Sequence, residues 1–289
     1  MLNSAKFIAA ALLTASATAT MAQDAVEEDA IEQNQPVDVE LWRLDCGTIQ
    51  LADAAPFSDT NLYDGEERTI TDSCYLIRNG DQHMLWDAGL PSALKGTTAT
   101  QWVFTYSLER TITDQLAELN LTPDDINLIG ISHYHDDHIG QAAEFPNATL
   151  LINSTEYQAV DSGAAGPAKE SLSPWFGEEK GEVRQFRGDH DVFSDGSVQV
   201  LKMPGHTPGH SALVVNLPTT GSVMLTGDLY HFEEQVTNKG VPTFNTDRAD
   251  TLASFHRFDQ MAGNLDATVI IQHDPRHISR LPAFPEAAK

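Results

Sequence analysis

The sequence predicts an α/β protein: sheets packed by helices, with the chemistry carried on loops at strand ends. Two observations predict it. Apolar runs of strand length alternate with stretches of helical periodicity from residue 37 to residue 272, as layered strands and helices require. The clusters of His and Asp follow directly on such apolar runs, which is where a fold places function when its sheets hold the backbone and its loops carry the reactive groups. Residues 36–289 show no Gly/Ser linker, no internal repeat and no second hydrophobic block. They are expected to form a single domain, since length is only a prior on domain count.

The first residues stand apart. Residues 1–22 hold a lone Lys6, an apolar run that continues in Ala and Thr, and Thr20-Met21-Ala22 as a small-residue cleavage site, so they read as a signal peptide. The run is short of the roughly 20 predominantly apolar residues of a membrane span, and no stable membrane insertion is expected. Residues 23–35 are acidic and lack aromatics, which suits a flexible leader. The expected location is periplasmic or secreted. The chain has 17 Lys and Arg against 42 Asp and Glu, a net charge of −25. That field repels phosphate backbones, so no nucleic-acid partner is expected, and neutral or cationic small molecules are favoured. Most of the charge is a solvated face. Cys46 and Cys74 fall on neighbouring strands. An exported compartment permits a bridge, but their apolar surroundings favour two buried thiols, neither of them a nucleophile.

Taken in order, residues 37–44 open the sheet, and 72–78 with 82–86 form a hairpin around Asn79-Gly80-Asp81, a tight-turn signal. Residues 111–119 carry Ile112, Leu116 and Leu119 at helical spacing behind Thr111 as cap. Thr122-Pro123 begins a short turn before a buried strand over 126–131, a helix over 139–145, a strand over 148–152 and a helix over 154–160. In the second half, 198–203, 211–216 and 222–225 read as strands. Residues 247–261 form an amphipathic helix with Leu252, Phe255 and Met261 inward, and 267–272 form the last strand.

The chain is organised around Ile131-Ser132-His133-Tyr134-His135-Asp136-Asp137-His138-Ile139-Gly140. Three histidines and two aspartates within six positions after a strand indicate a metal centre, because imidazole and carboxylate are the usual ligands of hydrolytic ions. His-x-His-x-Asp-His resembles the signature of the metallo-β-lactamase superfamily. Three further stretches resemble its remaining motifs: Pro204-Gly205-His206-Thr207-Pro208-Gly209-His210, Leu225-Thr226-Gly227-Asp228 and Ile270-Ile271-Gln272-His273-Asp274. Leu44-Asp45-Cys46-Gly47, Ser73-Cys74-Tyr75-Leu76-Ile77 and Leu85-Trp86-Asp87-Ala88-Gly89-Leu90 are similar to the N-acyl homoserine lactone lactonases.

The resemblance implies an αββα sandwich, two mixed sheets with outer helices. It implies that His133, His135 and His206 hold one divalent ion, that Asp137, His138 and His273 hold another, and that Asp228 bridges them. Zinc is the first expectation for both ions; cobalt, manganese and iron are the alternatives, since imidazole and carboxylate accept them all. It also assigns Asp87 the support of a ligand histidine. His83, His190, His210, His256 and His277 are left as surface or satisfied core residues.

The activity implied is hydrolysis of a small-molecule lactone, opening the ring of N-acyl homoserine lactones and so quenching quorum signals. Other lactone, ester or phosphotriester hydrolysis and β-lactamase activity are the alternatives on the same fold; a non-enzymatic binding protein is disfavoured by the full ligand set. A homodimer is left open. Phe57, Leu62, Tyr63, Trp102, Phe104, Tyr106 and Trp175-Phe176 are candidates to line an apolar groove for an acyl chain. One departure stands out. The better-known lactonases have a tyrosine three residues after the bridging aspartate, where this chain has His231, with Tyr230 one place earlier. Neighbouring side chains on an extended segment point opposite ways, so only one can face the ions. Tyr230 and His231 therefore join Asp137 and Asp228 as candidate catalytic residues.

Overall fold

The computed structural model describes Met1 and residues 38–177 and 179–289. Apart from Met1, the expected signal peptide (1–22) and acidic leader (23–35) lie outside the described residues. The chain begins with β1 (Val39–Leu51), β2 (Arg68–Asn79), β3 (Gln82–Trp86), β4 (Thr98–Gln101), β5 (Phe104–Ser107) and α1 (Ile112–Glu118). It continues through β6 (Leu128–Gly130), α2 (Asp136–Ile139), β7 (Thr149–Asn153), α3 (Ser154–Ser162), α4 (Ala168–Ser171), α5 (Ser173–Phe176) and β8 (Val183–Phe186). The second half holds β9 (His190–Asp191), β10 (Val198–Lys202), β11 (Ser211–Leu217), β12 (Gly221–Leu225), α6 (Glu233–Asn238), α7 (Arg248–Asn264) and β13 (Thr268–Ile270).

The strands form two sheets, ordered β4-β5-β1-β2-β3-β6-β7-β8 and β13-β12-β11-β10-β9. Both are mixed: β3, β6, β7 and β8 run parallel to one another, as do β12 and β13, while the other pairs are antiparallel. The period-two rule of a strand assigns each side chain to a layer. Tyr75, Ile77, Met84 and Trp86 point inward to meet Val200, Leu213, Val215 and Val223 of the other sheet. Their neighbours Cys74, Leu76 and Leu85 point outward and pack with Ile112, Leu116, Val160 and Trp175. On the far side, Ala212, Val214 and Met224 pack with Phe255 and Phe258 of α7. Helices thus cover both outer faces, and the architecture is the expected αββα sandwich.

Several expectations need correction. β1 runs on to Leu51 because a bulge between Asp45 and Gly47 absorbs the irregularity that seemed to end it at residue 44. The helix expected over 139–145 instead starts inside the ligand stretch at Asp136, stops at Ile139 and is followed by a 3₁₀ turn at Ala142–Glu144. Gly140 accounts for the break: a Cβ there would lie 2.3 Å from the Pro91 nitrogen, so helix and loop meet backbone to backbone. On α7 the buried apolar residues are Phe255 and Phe258, with Leu252 and Met261 only partly covered. Trp175 and Phe176 form part of the outer core, with the Trp175 indole donating to the Ala148 carbonyl at 2.9 Å, and stand apart from the lining of the cavity at the His and Asp cluster.

Cys46 and Cys74 are joined by a disulfide, against the expectation of two thiols. Cys46, two residues on from Leu44, shares the outward face with Cys74 at a Cα separation of 5.8 Å, inside the range a bridge needs. The bridge backs the 87–90 loop: Leu90 N donates to Cys46 O, and a Cβ on Gly89 would lie 2.4 Å from the Cys46 Cβ. Denatured, unreduced protein should therefore show no reactive thiol in a colorimetric titration. Replacing both cysteines by alanine should lower the unfolding free energy by about 3 kcal/mol in a denaturant titration.

Candidate metal centre

The seven residues implied as ligands arrive from separate strand ends and converge at one edge of the sandwich. β6 ends at Gly130 and feeds His133 and His135; α2 turns Asp137 and His138 toward them; β10, β12 and β13 deliver His206, Asp228 and His273. Two sets result, His133, His135, His206 and Asp228 in one and Asp137, His138 and His273 in the other, with the donor atoms of each set within 4.8 Å of one another.

Asp228 divides its oxygens between them. Oδ2 lies 3.2 Å from His206 Nε2 and 3.8 Å from His133 Nε2. Oδ1 lies 3.0 Å from His138 Nε2 and 2.9 Å from His273 Nε2. That is the placement a carboxylate bridging two ions requires, since two adjacent cations need an anion between them. Gly227 makes it reachable: its φ is 52°, and a Cβ there would meet His210 Nε2 at 2.7 Å. His210 uses that nitrogen to accept the Asp228 N–H at 2.9 Å, while its Nδ1 donates to the Met203 carbonyl. It is buried and satisfied, and it positions the bridging residue.

The ring nitrogens turned away from the centre explain the chemistry of those turned toward it. His206 Nδ1 donates to Asn245 Oδ1 at 2.9 Å, His273 Nδ1 to the Thr71 carbonyl at 2.9 Å and His138 Nδ1 to Asp87 Oδ2 at 3.0 Å. His133 Nδ1 rests on Ser132 Oγ, which in turn donates to Asp87. With Nδ1 protonated, each neutral ring turns a lone pair inward. Yet His206 Nε2 lies 3.1 Å from His133 Nε2 and 2.9 Å from His135 Nδ1. Lone pairs this close repel unless a cation sits among them, so the donor set fits metal. Burial holds His133 and His206 well below the usual histidine range. Burial acts the same way on His273, but Asp228 outweighs it and lifts that ring to about 9. Protons there stand where positive charge is wanted, and metal binding displaces such protons.

Asp87 is the hub behind the ligands. It receives Ser132 N at 2.7 Å, the Ser132 hydroxyl, His138 Nδ1 and Gln272 Nε2, from a left-handed backbone of φ 62° that the surrounding bonds hold in place. Glu156, on α3, was not legible as a functional residue: fully buried, it accepts Tyr134 N at 3.2 Å and Gly209 N at 2.6 Å, tying the two histidine loops together. Burial pushes its carboxyl up to about 7. The only signal in the sequence was an acid in the first turn of a helix that follows a buried strand. Ser132 and Asn245 were also missed, being polar residues with no motif of their own.

The structure separates the two remaining candidates. His231 faces the centre, its Nε2 3.1 Å from Asp228 Oδ2 and its ring against Phe57 and parallel to His273. Tyr230 faces away: its hydroxyl donates to Asp259, accepts from Lys239, and its ring stacks on Phe255. Tyr230 is therefore withdrawn as a catalytic candidate. Above the centre opens a cavity of about 610 Å³ with Asp137, His206, Asp228 and His273 at its floor and Ile49, Phe57, Phe104, Tyr106 and Phe244 on its walls. Trp102 is at its rim, 71% exposed. Leu62 is exposed and Tyr63 packs under Phe232, so neither lines the cavity. His83 and His190 are half-buried, His256 exposed, and His277 accepts Ile271 N.

Residues 71–273 match the model of the Metallo-beta-lactamase superfamily. The N-acyl homoserine lactonase AttM of Rhizobium radiobacter is 27% identical over 86% of this chain and 98% of its own length. The N-acyl homoserine lactonase AiiA of Bacillus thuringiensis subsp. kurstaki is 28% identical over 74% of this chain and 85% of its own. A solved N-acyl homoserine lactone hydrolase, holding the product N-hexanoyl-L-homoserine at its catalytic metal center, superposes with a TM-score of 0.73 at 26% identity, over 86% of this chain and 98% of that one. The dizinc quorum-quenching lactonase AidC shares the fold at a TM-score of 0.63 and 18% identity, over 88% of this chain and 90% of that one.

The bridging geometry carries a direct expectation. Asp228→Asn brings no charge to offset two adjacent cations, so the purified variant should lose at least one of two ions per chain in elemental analysis. Parent-like metal content would refute the bridging role.

Proposed function

The chain belongs to the metallo-beta-lactamase superfamily, and from that membership we propose that it is a dinuclear metal-dependent hydrolase that opens the lactone ring of N-acyl homoserine lactones, a quorum-quenching activity. The observation that carries the reading is the juxtaposition of a two-set donor centre, bridged by Asp228, with an apolar-walled cavity directly above it. The lactonase relatives, matched over most of their own lengths, support the substrate class.

Two divalent ions held by the seven residues would polarise the lactone carbonyl and lower the pKa of a water enough for attack at neutral pH. The chain's own residues do the rest. Asp228 balances the charge, and Ser132, Asp87, Asn245 and the Thr71 carbonyl fix the ligand rings. The apolar wall takes the acyl chain and excludes water from it. His231 stands where floor meets wall, with Nε2 engaged by Asp228 and a buried Nδ1 that has no partner. A buried unpaired ring nitrogen is costly without a function, and His231 lines the cavity beside the donor centre. Zinc is the proposed metal, since neutral imidazoles with carboxylate suit it. We place the protein in the periplasm or outside the cell, as one catalytic domain from residue 36 behind a cleaved leader; the Cys46–Cys74 bridge supports an oxidising compartment.

Metal-loaded protein should release acid from N-acyl homoserine lactones in a pH-stat assay, faster than it turns over a cephalosporin or a phosphotriester. No lactone turnover with two ions bound would refute the activity. The residues after Asp228 give a second check. His231→Gln should lower kcat/KM on lactones by roughly 10²- to 10⁴-fold if its ring takes part in proton transfer. Tyr230→Phe should change kcat/KM little, because its hydroxyl points to Asp259. Equal, small losses would mean that neither residue takes part.

A further inference from the structure

Asp72 on β2 is fully buried, and neither of its carboxylate oxygens has a hydrogen-bond partner. Native proteins rarely leave a buried carboxylate in that condition, because an ionised one is strongly unfavourable there unless it is paired or sits beside a metal. Its place in the strand says what it serves. On β2, Ile70, Asp72 and Cys74 share one face. Ile70 lines the cavity wall and Cys74 is bridged to Cys46, so Asp72 lies one step, about 7 Å, deeper than the wall. Its neighbour Thr71 is bonded on both sides to a ligand: Thr71 N donates to the His273 carbonyl at 3.1 Å, and His273 Nδ1 donates to the Thr71 carbonyl at 2.9 Å. Across the strand pair stands Gly47, which has no side chain to offer a donor.

The groups that act on it are those of the second donor set. Burial pushes its carboxyl well above the ordinary range, and Asp137 pushes it further; His273 and His138 pull it back, and Asp87 adds to the rise. Asp72 is thus an acid in conflict with the charge of Asp137, a conflict that a cation held by the second set would relieve, as opposite charge favours the ionised form of Asp72.

We propose that Asp72 is an outer carboxylate of the metal centre: from beneath the cavity floor, outside the seven-residue donor set, it supplies the additional negative charge that holds the ion of the Asp137, His138 and His273 set. The proposal rests on the two-ion reading of the site and not on the identity of the substrate. In this arrangement the Asp228 set has three histidines around its ion, while the second set offers two histidines and a partly exposed Asp137. Its affinity is the one that a nearby buried charge can raise.

The test is a zinc titration of apo-protein against a competing chelator, with stoichiometry from elemental analysis. Asp72→Asn keeps shape and removes charge. The expected result is an unchanged first dissociation constant and a second one weakened 10- to 100-fold, the range seen when groups behind metal ligands are removed. In an Asp137→Ala background, which already lacks the second set, Asp72→Asn should have no further effect on the ion that remains. Circular dichroism and thermal unfolding of the apo-protein check folding, and Asp72→Ser is read in the same way should the asparagine variant fail to fold. A second constant within about twofold of the parent, or both constants weakened alike, overturns the role of Asp72. A parent chain that binds one ion overturns the two-ion reading and this proposal together, whereas a two-ion protein inactive on lactones leaves the proposal standing.

Discussion

The structure depends on one buried carboxylate. Asp228 is 4% exposed and has the imidazoles of His133, His138, His206, His231 and His273 within 3.8 Å of its two oxygens. No carboxylate is stable in such a place without compensating positive charge. Most of the local architecture follows from supplying it. The rings are turned by acceptors on their far nitrogens, the Asp228 amide is held by His210, and Gly227 lets the chain pass close enough for that bond.

The sandwich explains why such a centre can be held to a few tenths of an ångström. The central strands of both sheets are buried on both faces, so each leaves the core at a fixed height and direction. At the site edge the two sheets are tied by polar bonds as well: Ser211 N donates to the Ser132 carbonyl at 3.0 Å, Gln272 donates to Asp87, and Thr71 pairs with His273. Within the first sheet, the disulfide backs the 87–90 loop, whose backbone also bonds to α2 through Ala88, Gly89 and Gly140. Ligands on loops thereby acquire the precision of ligands on rigid elements, which a preorganised site needs.

The convergence of the seven candidate ligands was legible because each motif places chemistry-bearing side chains directly after an apolar run, and period-two burial then dictates where they emerge. What escaped was set by tertiary contact. The bridging of Cys46 to Cys74 turned on how closely β1 and β2 bring the two Cα atoms together, which strand periodicity alone does not state. The break in the expected helix turned on Gly140 meeting the backbone of the 89–91 loop. Trp175 looked like a loop aromatic because its short helix is bounded by Pro and Gly; only the carbonyl of Ala148, 27 residues earlier, reveals it as core. Glu156 looked like an ordinary first-turn acid until the two histidine loops closed over it. The choice between Tyr230 and His231 needed the direction of one segment, which alternation restricts to two answers without choosing between them.

His231 is where the charged floor and the apolar wall become one structure. Its Nε2 engages Asp228, and its ring edge meets Phe57 at a centroid distance of 4.9 Å and Phe244 at 5.9 Å. Phe57 in turn packs on Phe104 and Phe232. The aromatic wall, the His231 ring and the carboxylate between the two donor sets thus form one unbroken chain of contacts. On the proposed reading, the acyl chain and the reacting carbonyl of one substrate therefore contact a single mechanically connected unit. Occupying the wall is felt at the floor, and that is how binding energy from a remote, unreactive part of a substrate can serve orientation at the reacting centre. The net charge of −25 plays little part in this: it lies mostly on the solvated surface, while apolar walls and a cation-demanding floor decide what the cavity accepts.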